Sequence, residues 1–307
     1  MNSHQVHFKK IYKQIDAKGD YKFDCNLSKY TWLGVAGSAE IFYIPDNKEE
    51  LSAILKNLKG DLTVNIIGLG SNILIRDGGI KGLVIKLGRN FGTIEENENH
   101  INVGSYVPDR ILSNYCLKNS YSGFEYLSGI PGSIGGAVYM NAGCYGTEVK
   151  DIFLKAYCLD YDGNTRTFEN TSDTFSYRKN NIVNNLIVID ADFKKTKGDF
   201  QTIEHKMKEV VSSKKTTQPE KIRTAGSTFK NPKKSIGKKA WELIEESGLR
   251  SFKMNGISLS PKHANFIVNQ QFKSSNMIED FGEVIREKVF NQTGIMLDWE
   301  IQIIGDR

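Results

Sequence analysis

The chain has 307 residues, which is enough for about two domains with separate hydrophobic cores. Hydrophobic residues make up 39% and charged residues 25% of it, a balance that is typical of globular proteins and excludes a disordered or fibrous chain. The net charge is only +5, and the chain has neither a secretory signal nor an apolar run of membrane-spanning length, so we expect a cytoplasmic protein without a membrane partner.

A small α/β unit, residues 21–89, is predicted after an N-terminal segment, residues 1–20. Its helix is expected over residues 47–58, because Asp46 or Asn47 supplies an N-cap. Its strands are predicted at residues 39–44, 62–67 and 82–87.

Short strands dominate the next region, residues 90–212. The pair Asp162-Gly163 predicts a hairpin turn between strands at residues 156–161 and 165–168. A polar segment that contains a proline, residues 212–223, marks the predicted domain border. The remaining predicted elements are a strand at residues 186–189 and a helix at residues 201–211.

The third region, residues 213–295, contains two helical patterns. The first has an apolar face around Ala240 and stops at Gly248, and the second runs from Ser274 to Phe290 and ends near Gly294. A final strand is then predicted, in which apolar residues alternate with polar ones and Glu300 lies on the polar face. Its apolar positions are Leu297, Trp299, Ile301 and Ile303.

Positive charge is concentrated between Lys206 and Lys239, where eleven Lys or Arg residues face only Glu209 and Glu220. Three interpretations are open: a solvated surface, an electropositive cleft that draws in an anionic ligand, or a nucleic-acid site. No helix-turn-helix or aromatic strand motif accompanies the charge, so we favour a small anionic ligand over nucleic acid.

Two glycine-dense segments are the most informative motifs, Gly68-Leu-Gly-Ser-Asn72 and the stretch from Gly129 to Gly143. Ile73 stands where a dinucleotide-binding loop needs its third glycine, and no phosphate loop of the nucleotide hydrolases is present. The first segment alone could be a tight turn. The second has more glycines than any turn needs, which indicates backbone pressed against a bulky anionic ligand.

The cysteines and histidines predict no metal site. Cys25, Cys116, Cys144 and Cys158 include no Cys-x-x-Cys pair, and we expect them to be reduced. The five histidines have no His-x-x-x-His spacing, so we expect no catalytic metal.

Together with Ser176-Tyr-Arg178, Ala225-Gly-Ser-Thr-Phe-Lys-Asn-Pro232, Lys262-His-Ala-Asn-Phe-Ile-Val-Asn269 and Trp299-Glu300, the glycine segments resemble the UDP-N-acetylenolpyruvoylglucosamine reductases, flavoenzymes of bacterial wall synthesis. The length is similar to the shorter type of that family. The resemblance implies an α+β fold: a two-lobed FAD-binding domain of the vanillyl-alcohol oxidase type, residues 21–89 and 90–212 with a return strand at 296–307, and a C-terminal α+β substrate domain, residues 213–295.

The same resemblance implies FAD as cofactor, NADPH as co-substrate and an enolpyruvyl ether of a UDP-sugar as substrate. The sequence leaves the oligomeric state open, with a monomer favoured. Hydride would pass from the flavin to the alkene of the substrate, and negative charge would build up on the neighbouring carbon and carboxylate. The implied FAD-binding residues are Gly68, Leu69, Gly70, Ser71, Asn72, Ile130, Gly132, Ser133, Gly135, Gly136, Asn141 and Ala142.

Three residues match the family's catalytic positions. Ser227 would donate the proton to carbon, while Arg178 and Glu300 would stabilise the charged intermediate, Glu300 as a carboxylic acid whose pKa is raised by burial. Taken singly, the serine suits a turn and the other two a surface ion pair. A flavin oxidase or dehydrogenase of the same cofactor fold remains the nearest alternative.

Substrate contacts are implied for Tyr177, Lys214, Lys215, Lys230 and Asn231. The chain departs from the family pattern at three places, which concern the details of substrate contact rather than the reaction. Ala36 and Asn265 stand where we expect glycine, and Thr217 stands where a basic residue is frequent.

Overall fold

The computed structural model describes the whole chain, residues 1–307. The helices are α1 (Ser3–Gln14), α2 (Lys48–Leu58), α3 (Asp109–Lys118), α4 (Ile134–Met140), α5 (Val149–Ile152), α6 (Phe200–Thr217), α7 (Ala240–Glu246) and α8 (Ser275–Thr293). The strands are β1 (Asp20–Asn26), β2 (Ser38–Ile44), β3 (Val64–Ile66), β4 (Ile73–Ile75), β5 (Ile80–Ile85), β6 (Ile94–Glu96), β7 (His100–Gly104), β8 (Tyr121–Ser122), β9 (Gly143–Cys144), β10 (Thr147–Glu148), β11 (Phe153–Asp160), β12 (Thr165–Glu169), β13 (Phe175–Ser176), β14 (Lys179–Asn180), β15 (Leu186–Lys194), β16 (Thr196–Lys197), β17 (Lys253–Met254), β18 (Ile257–Ser260), β19 (His263–Val268) and β20 (Gln302–Ile304).

The chain forms two units, each built from three segments. The first unit comprises Met1–Asp24, Glu40–Leu69 and Gly82–Ser213. The second comprises Cys25–Ala39, Gly70–Lys81 and Lys214–Arg307. The finer division into lobes and a substrate domain, with the borders given above, stays a prediction.

One part of the first unit is a four-stranded sheet in the order β1-β2-β5-β3, in which β3 and β5 are parallel. The Asn47 side chain caps α2 by accepting from the backbone N–H of Glu50 at 2.8 Å, and α2 buries Leu51, Ile54, Leu55 and Leu58. The predicted helix and its cap are confirmed. This apolar face joins Phe8 and Tyr43 in one buried core.

The other part of the first unit is a five-stranded antiparallel sheet in the order β12-β11-β15-β7-β6. The predicted hairpin is confirmed: Gly163 has φ +79° and its N–H donates to Asp160 O at 2.9 Å. Phe124, Phe153 and Phe193 are buried in the core of this part.

The helix predicted at residues 201–211 is longer than expected, because α6 continues to Thr217. The predicted polar connector therefore begins inside a helix. Polarity alone does not end a helix; Pro219 does, since the residue before a proline is pushed out of the helical region.

The second unit contains the three-stranded antiparallel sheet β17-β18-β19, the pair β4-β20, and helices α7 and α8. The Ser274 side chain caps α8, and Gly294 ends it with φ +71°, as predicted. Arg76 Nε and Nη2 each donate to a carboxylate oxygen of Glu279 at 2.8 Å. This pair connects the end of β4 to α8. Leu243, Phe281 and Ile285 are fully buried in the shared core.

The final strand is shorter than predicted. Leu297 and Ile301 are buried, as the alternation requires, but regular strand structure is limited to β20, which pairs in parallel with β4. The residues before it form only a single bridge between Trp299 and Phe229. The alternation thus predicted the burial of Leu297 and Ile301 correctly, whereas Trp299 and Ile303 are only half-buried and the regular strand is shorter than predicted.

Candidate functional site

The first glycine segment crosses the border between the two units. In the first unit, the Nζ of Lys86 donates to the carbonyl of Gly68 at 2.6 Å, and a Cβ on Gly68 would lie 3.2 Å from the hydroxyl of Ser133. Gly68 of the first glycine segment therefore lies close to Ser133 of the second, the two segments for which the family resemblance implies FAD contacts. Burial lowers the pKa of Lys86 from its ordinary value. We did not single out Lys86 from the sequence, although it interrupts the apolar run of the strand predicted at residues 82–87.

In the second unit, the backbone conformation and the close approach of another backbone segment require glycine at Gly70. Its φ is +71°, and a Cβ there would lie 1.9 Å from the carbonyl oxygen of Tyr30. Two residues later, the Asn72 side chain donates to the backbone oxygen of Glu300 at 3.1 Å, and Asn72 O accepts from Gln302 N at 3.0 Å. The structure thus brings a predicted FAD residue, Asn72, against a predicted catalytic residue, Glu300.

Most glycines of the second segment are required by the protein's own packing. An added Cβ would lie 2.6 Å from Asp109 Oδ2 at Gly132, 2.9 Å from Ser105 Cβ at Gly135 and 2.4 Å from Thr147 O at Gly143. The protein's own packing is therefore enough to require glycine at these three positions, without a bound ligand.

Gly136 is different from its neighbours. It lies in α4 without a positive φ, and an added Cβ would have only the Ser133 hydroxyl within 4 Å, at 3.8 Å. Neither backbone conformation nor protein packing explains a glycine there, whereas close approach of a large group does. The residues present therefore fit a bulky cofactor.

Asp109 contacts the second glycine segment at Gly132. Its backbone N–H donates to Gly132 O at 3.0 Å, its side chain is fully buried, and neither carboxyl oxygen has a hydrogen-bond partner in the protein. Burial raises the pKa of Asp109 well above its ordinary value. The Tyr126 hydroxyl nearby is also buried and unpartnered. A neutral Asp109 is therefore expected in the folded protein.

Asn141 connects the glycine segment to the segment that carries Arg178. It is fully buried with φ +45°, and its side chain donates to Glu148 Oε2 at 3.1 Å and to Ser176 O at 3.0 Å. Its Oδ1 accepts from the Lys150 N–H at 3.0 Å. Asn141 thereby holds three segments of the first unit together.

Arg178 is held by the same group of residues. Its Nη2 donates to Gly143 O at 2.7 Å, its Nη1 lies 3.4 Å from Glu148 Oε1, and its guanidinium lies 4.9 Å from the centre of the Tyr177 ring. The backbone of Arg178 has φ +55°, an uncommon conformation for a residue with a side chain. Sequence reasoning missed Glu148, which contacts both Arg178 and Asn141.

Ser227 and Glu300 lie on neighbouring segments of the second unit. The residue after Ser227, Thr228, accepts from the Glu300 N–H at 2.9 Å, and Lys230 N donates to Asp298 O at 2.8 Å. Both Ser227 and Glu300 are half-buried. The Ser227 hydroxyl and the Glu300 carboxyl group therefore belong to two backbone segments that are hydrogen-bonded to each other.

The expected substrate residues have mixed surroundings. Lys214 and Lys215 lie in the last turn of α6, with Lys215 exposed, and Lys230 is half-buried. Asn231 is partly structural, since its side-chain oxygen accepts from the Ala240 N–H at the start of α7 at 3.0 Å.

The chain matches two family models. Residues 39–169 match the one described as FAD binding domain. Residues 218–304 match the one described as UDP-N-acetylenolpyruvoylglucosamine reductase, C-terminal domain.

Curated relatives are similar over nearly the whole chain. A UDP-N-acetylenolpyruvoylglucosamine reductase of Rickettsia massiliae (strain Mtu5) is 48% identical over 288 residues, which cover 94% of this chain and 97% of the relative. The protein of the same name from Rickettsia typhi (strain ATCC VR-144 / Wilmington) is 47% identical over the same length.

A solved structure gives the same result. The crystal structure of UDP-N-acetylenolpyruvylglucosamine reductase from Thermus caldophilus is 28% identical, with a TM-score of 0.79, and the match covers 94% of this chain and all of that one. The predicted α+β fold, a FAD-binding domain followed by a C-terminal domain of the reductase family, is confirmed by these matches.

Proposed function

The chain belongs to the UDP-N-acetylenolpyruvoylglucosamine reductase family, and we propose that it reduces UDP-N-acetylglucosamine enolpyruvate to UDP-N-acetylmuramate for cell-wall synthesis. FAD is the cofactor and NADPH the co-substrate. The observation that carries the proposal is the pairing of the Ser227 segment with the Glu300 segment through Thr228. Family membership favours this reaction over the oxidase and nucleic-acid alternatives.

FAD is expected against the two glycine segments. The proposed contacts in the first unit are the backbone around Gly68 and Ser133, the open face of Gly136 and the Asn141 side chain. Those proposed in the second unit are Gly70 and Asn72. When bound, FAD would supply the hydride-transfer chemistry that links oxidation of NADPH to reduction of the substrate alkene.

Ser227 is proposed to hold the proton that completes the reduction. Reduction of the alkene adds a hydride to one carbon and a proton to the other, so a proton donor must face the second carbon. A serine hydroxyl is a weak acid and can serve only where the carbon has gained strong basicity. Glu300, on the paired segment, is proposed to stabilise the same charged species as a neutral carboxylic acid.

Arg178 is proposed to bind the substrate carboxylate. A guanidinium stays charged and can donate two parallel hydrogen bonds to a carboxylate. Gly143 O and Glu148 restrict its orientation before substrate binds. Loss of such a preorganised donor typically costs about 2.7–4 kcal/mol of barrier.

The nucleotide-sugar is proposed to contact Tyr177, Lys214, Lys215, Lys230 and Asn231. Two phosphates and a carboxylate carry the negative charge that this lysine-rich set attracts.

We also propose a monomer in the cytoplasm. All four cysteines are free, which suits a reducing compartment, and no helix combines the length and apolarity needed to span a bilayer.

The proposal is tested by the visible spectrum of the purified protein under anaerobic conditions. NADPH should bleach the flavin absorbance, and UDP-N-acetylglucosamine enolpyruvate should restore it without oxygen. A flavin that NADPH reduces but this substrate cannot reoxidise would contradict the proposed function.

Ser227→Ala tests the proton donor in the same experiment. Reduction by NADPH should stay within about twofold of the wild type, while reoxidation by substrate should slow at least about 100-fold, the lower range of general acid catalysis. Ser235→Ala, an exposed serine of the same unit, is the matched control and should change neither step. Unchanged reoxidation in Ser227→Ala would remove Ser227 from this role.

A further inference from the structure

Asn265 makes two contacts with the backbone of Phe229, which lies two residues after Ser227. Its Oδ1 accepts from the Phe229 N–H at 2.9 Å, and its Nδ2 donates to the Phe229 carbonyl at 2.8 Å. The Asn265 side chain is 4% exposed and Phe229 is 1% exposed. A single buried side chain therefore satisfies both backbone polar groups of Phe229.

The backbone of Asn265 reinforces this contact. Its carbonyl accepts from the Thr228 N–H at 2.8 Å, and the Ile267 N–H donates to the Thr228 hydroxyl at 3.2 Å. On the opposite edge, Thr228 O accepts from Glu300 N. The segment that follows Ser227 is thus held from both sides, by β19 and by the segment of Glu300.

The residue before Ser227 is surrounded by open space. Gly226 has φ +82°, and an added Cβ would meet no atom within 4 Å. The restraints next to Ser227 are the hydrogen bonds of the two residues that follow it, Thr228 and Phe229.

We propose that Asn265 is a positioning residue for Ser227, an inference that rests on the proposed function. An asparagine side chain carries one acceptor and one donor in the arrangement of a peptide group, so it replaces a missing strand neighbour for Phe229. Aspartate lacks the donor. Glycine, the residue expected here from the family resemblance, would leave the two buried Phe229 groups without this partner.

The test compares Asn265→Gly and Asn265→Asp with the FAD-loaded wild type in anaerobic stopped-flow experiments. Flavin reduction by NADPH should stay within about twofold, because that step does not use Ser227. Reoxidation by the enolpyruvyl substrate should slow about 10- to 100-fold, the usual effect of a misplaced reacting group. The solvent deuterium isotope effect on this step should rise as proton transfer becomes limiting.

Asn269 provides a matched control. It is also fully buried, and its side chain pairs in the same way with one residue, donating to Lys273 O and accepting from Lys273 N, both at 2.8 Å. Asn269→Gly should lower the melting temperature about as much as Asn265→Gly. It should not slow reoxidation selectively or change its isotope effect.

A double-mutant cycle separates positioning from general destabilisation. In the Ser227→Ala background, Asn265→Gly should slow reoxidation by no more than about twofold, because the group it positions is gone. An equal slowing in both backgrounds, or an equal effect of Asn269→Gly, would overturn the proposal. Failure of the proposed function looks different, since wild-type reduced flavin would then not respond to the substrate at all.

Discussion

Asp109 is expected to make the protein less stable as the pH rises. Its folded-state pKa is raised by burial, whereas an unfolded aspartate titrates near about 3.9. Above that pH the unfolded chain loses the proton and the folded protein keeps it. Stability present at low pH therefore falls by about 1.4 kcal/mol per pH unit until the raised pKa is reached.

Asp109→Asn should remove this dependence, because an amide of similar shape has no proton to lose. The difference in melting temperature between variant and wild type, both loaded with FAD, should grow in favour of the variant between pH 5 and about pH 7. Asp162→Asn changes an exposed aspartate in a turn that accepts asparagine equally well, and serves as the control. A pH-independent difference for Asp109→Asn would contradict the expected protonation.

Residues such as Asp109 show what could not be predicted at this scale. An aspartate after Pro108 at the start of a helix looks like an ordinary first-turn acid, so only the fold reveals its burial. Glu148 and Asn265 were missed as partners for the same reason, since their contacts join distant parts of the sequence. Arg178, Ser227 and Glu300 were proposed from motifs, and their roles stay predictions.

At the scale of elements, two glycines inside helices should respond in opposite ways to alanine. Alanine normally stabilises a helix interior by about 1 kcal/mol relative to glycine. Gly136→Ala in α4 places its Cβ in open space, so the melting temperature without FAD should not fall. FAD should bind about tenfold or more weakly, because the new methyl group faces the proposed cofactor. Titration of the flavin-free protein with FAD measures this.

Gly282→Ala in α8 is the counterpart. Its Cβ would lie 2.0 Å from the Trp299 ring, which is itself fixed by a hydrogen bond from Nε1 to Glu283 at 2.7 Å. The melting temperature should fall, by the equivalent of about 1–3 kcal/mol.

Equal FAD affinities for Gly136→Ala and the wild type would show that the cofactor does not approach Gly136.

Helices were predicted better than the final strand for a physical reason. Capping residues and a period of 3.6 are local, so Asn47 and Gly294 mark their helix ends in the sequence itself. A strand needs a partner at a distance. Leu297 and Ile301 are buried as predicted, but residues 297–301 form a bridge only at Phe229, which periodicity alone does not reveal.

At the scale of the whole molecule, the uneven charge predicts a salt-dependent reaction. The excess of nine positive charges between Lys206 and Lys239, eleven against two, exceeds the net charge of +5. Lys233 and Lys234 are both exposed within it. Charges of this kind raise the association rate of an anionic substrate. Salt screens them, and at 1 M salt the distance over which they act falls to about 3 Å.

Changing Lys233 and Lys234 together to glutamine should therefore lower kcat/KM for the UDP-sugar about 2- to 10-fold at low salt and leave kcat unchanged. The difference from the wild type should vanish in high salt. Lys10→Gln with Lys13→Gln, on exposed positions of α1, changes the net charge equally and should have a smaller effect. Equal losses from both pairs would mean that total charge, rather than the basic stretch, governs capture of the substrate.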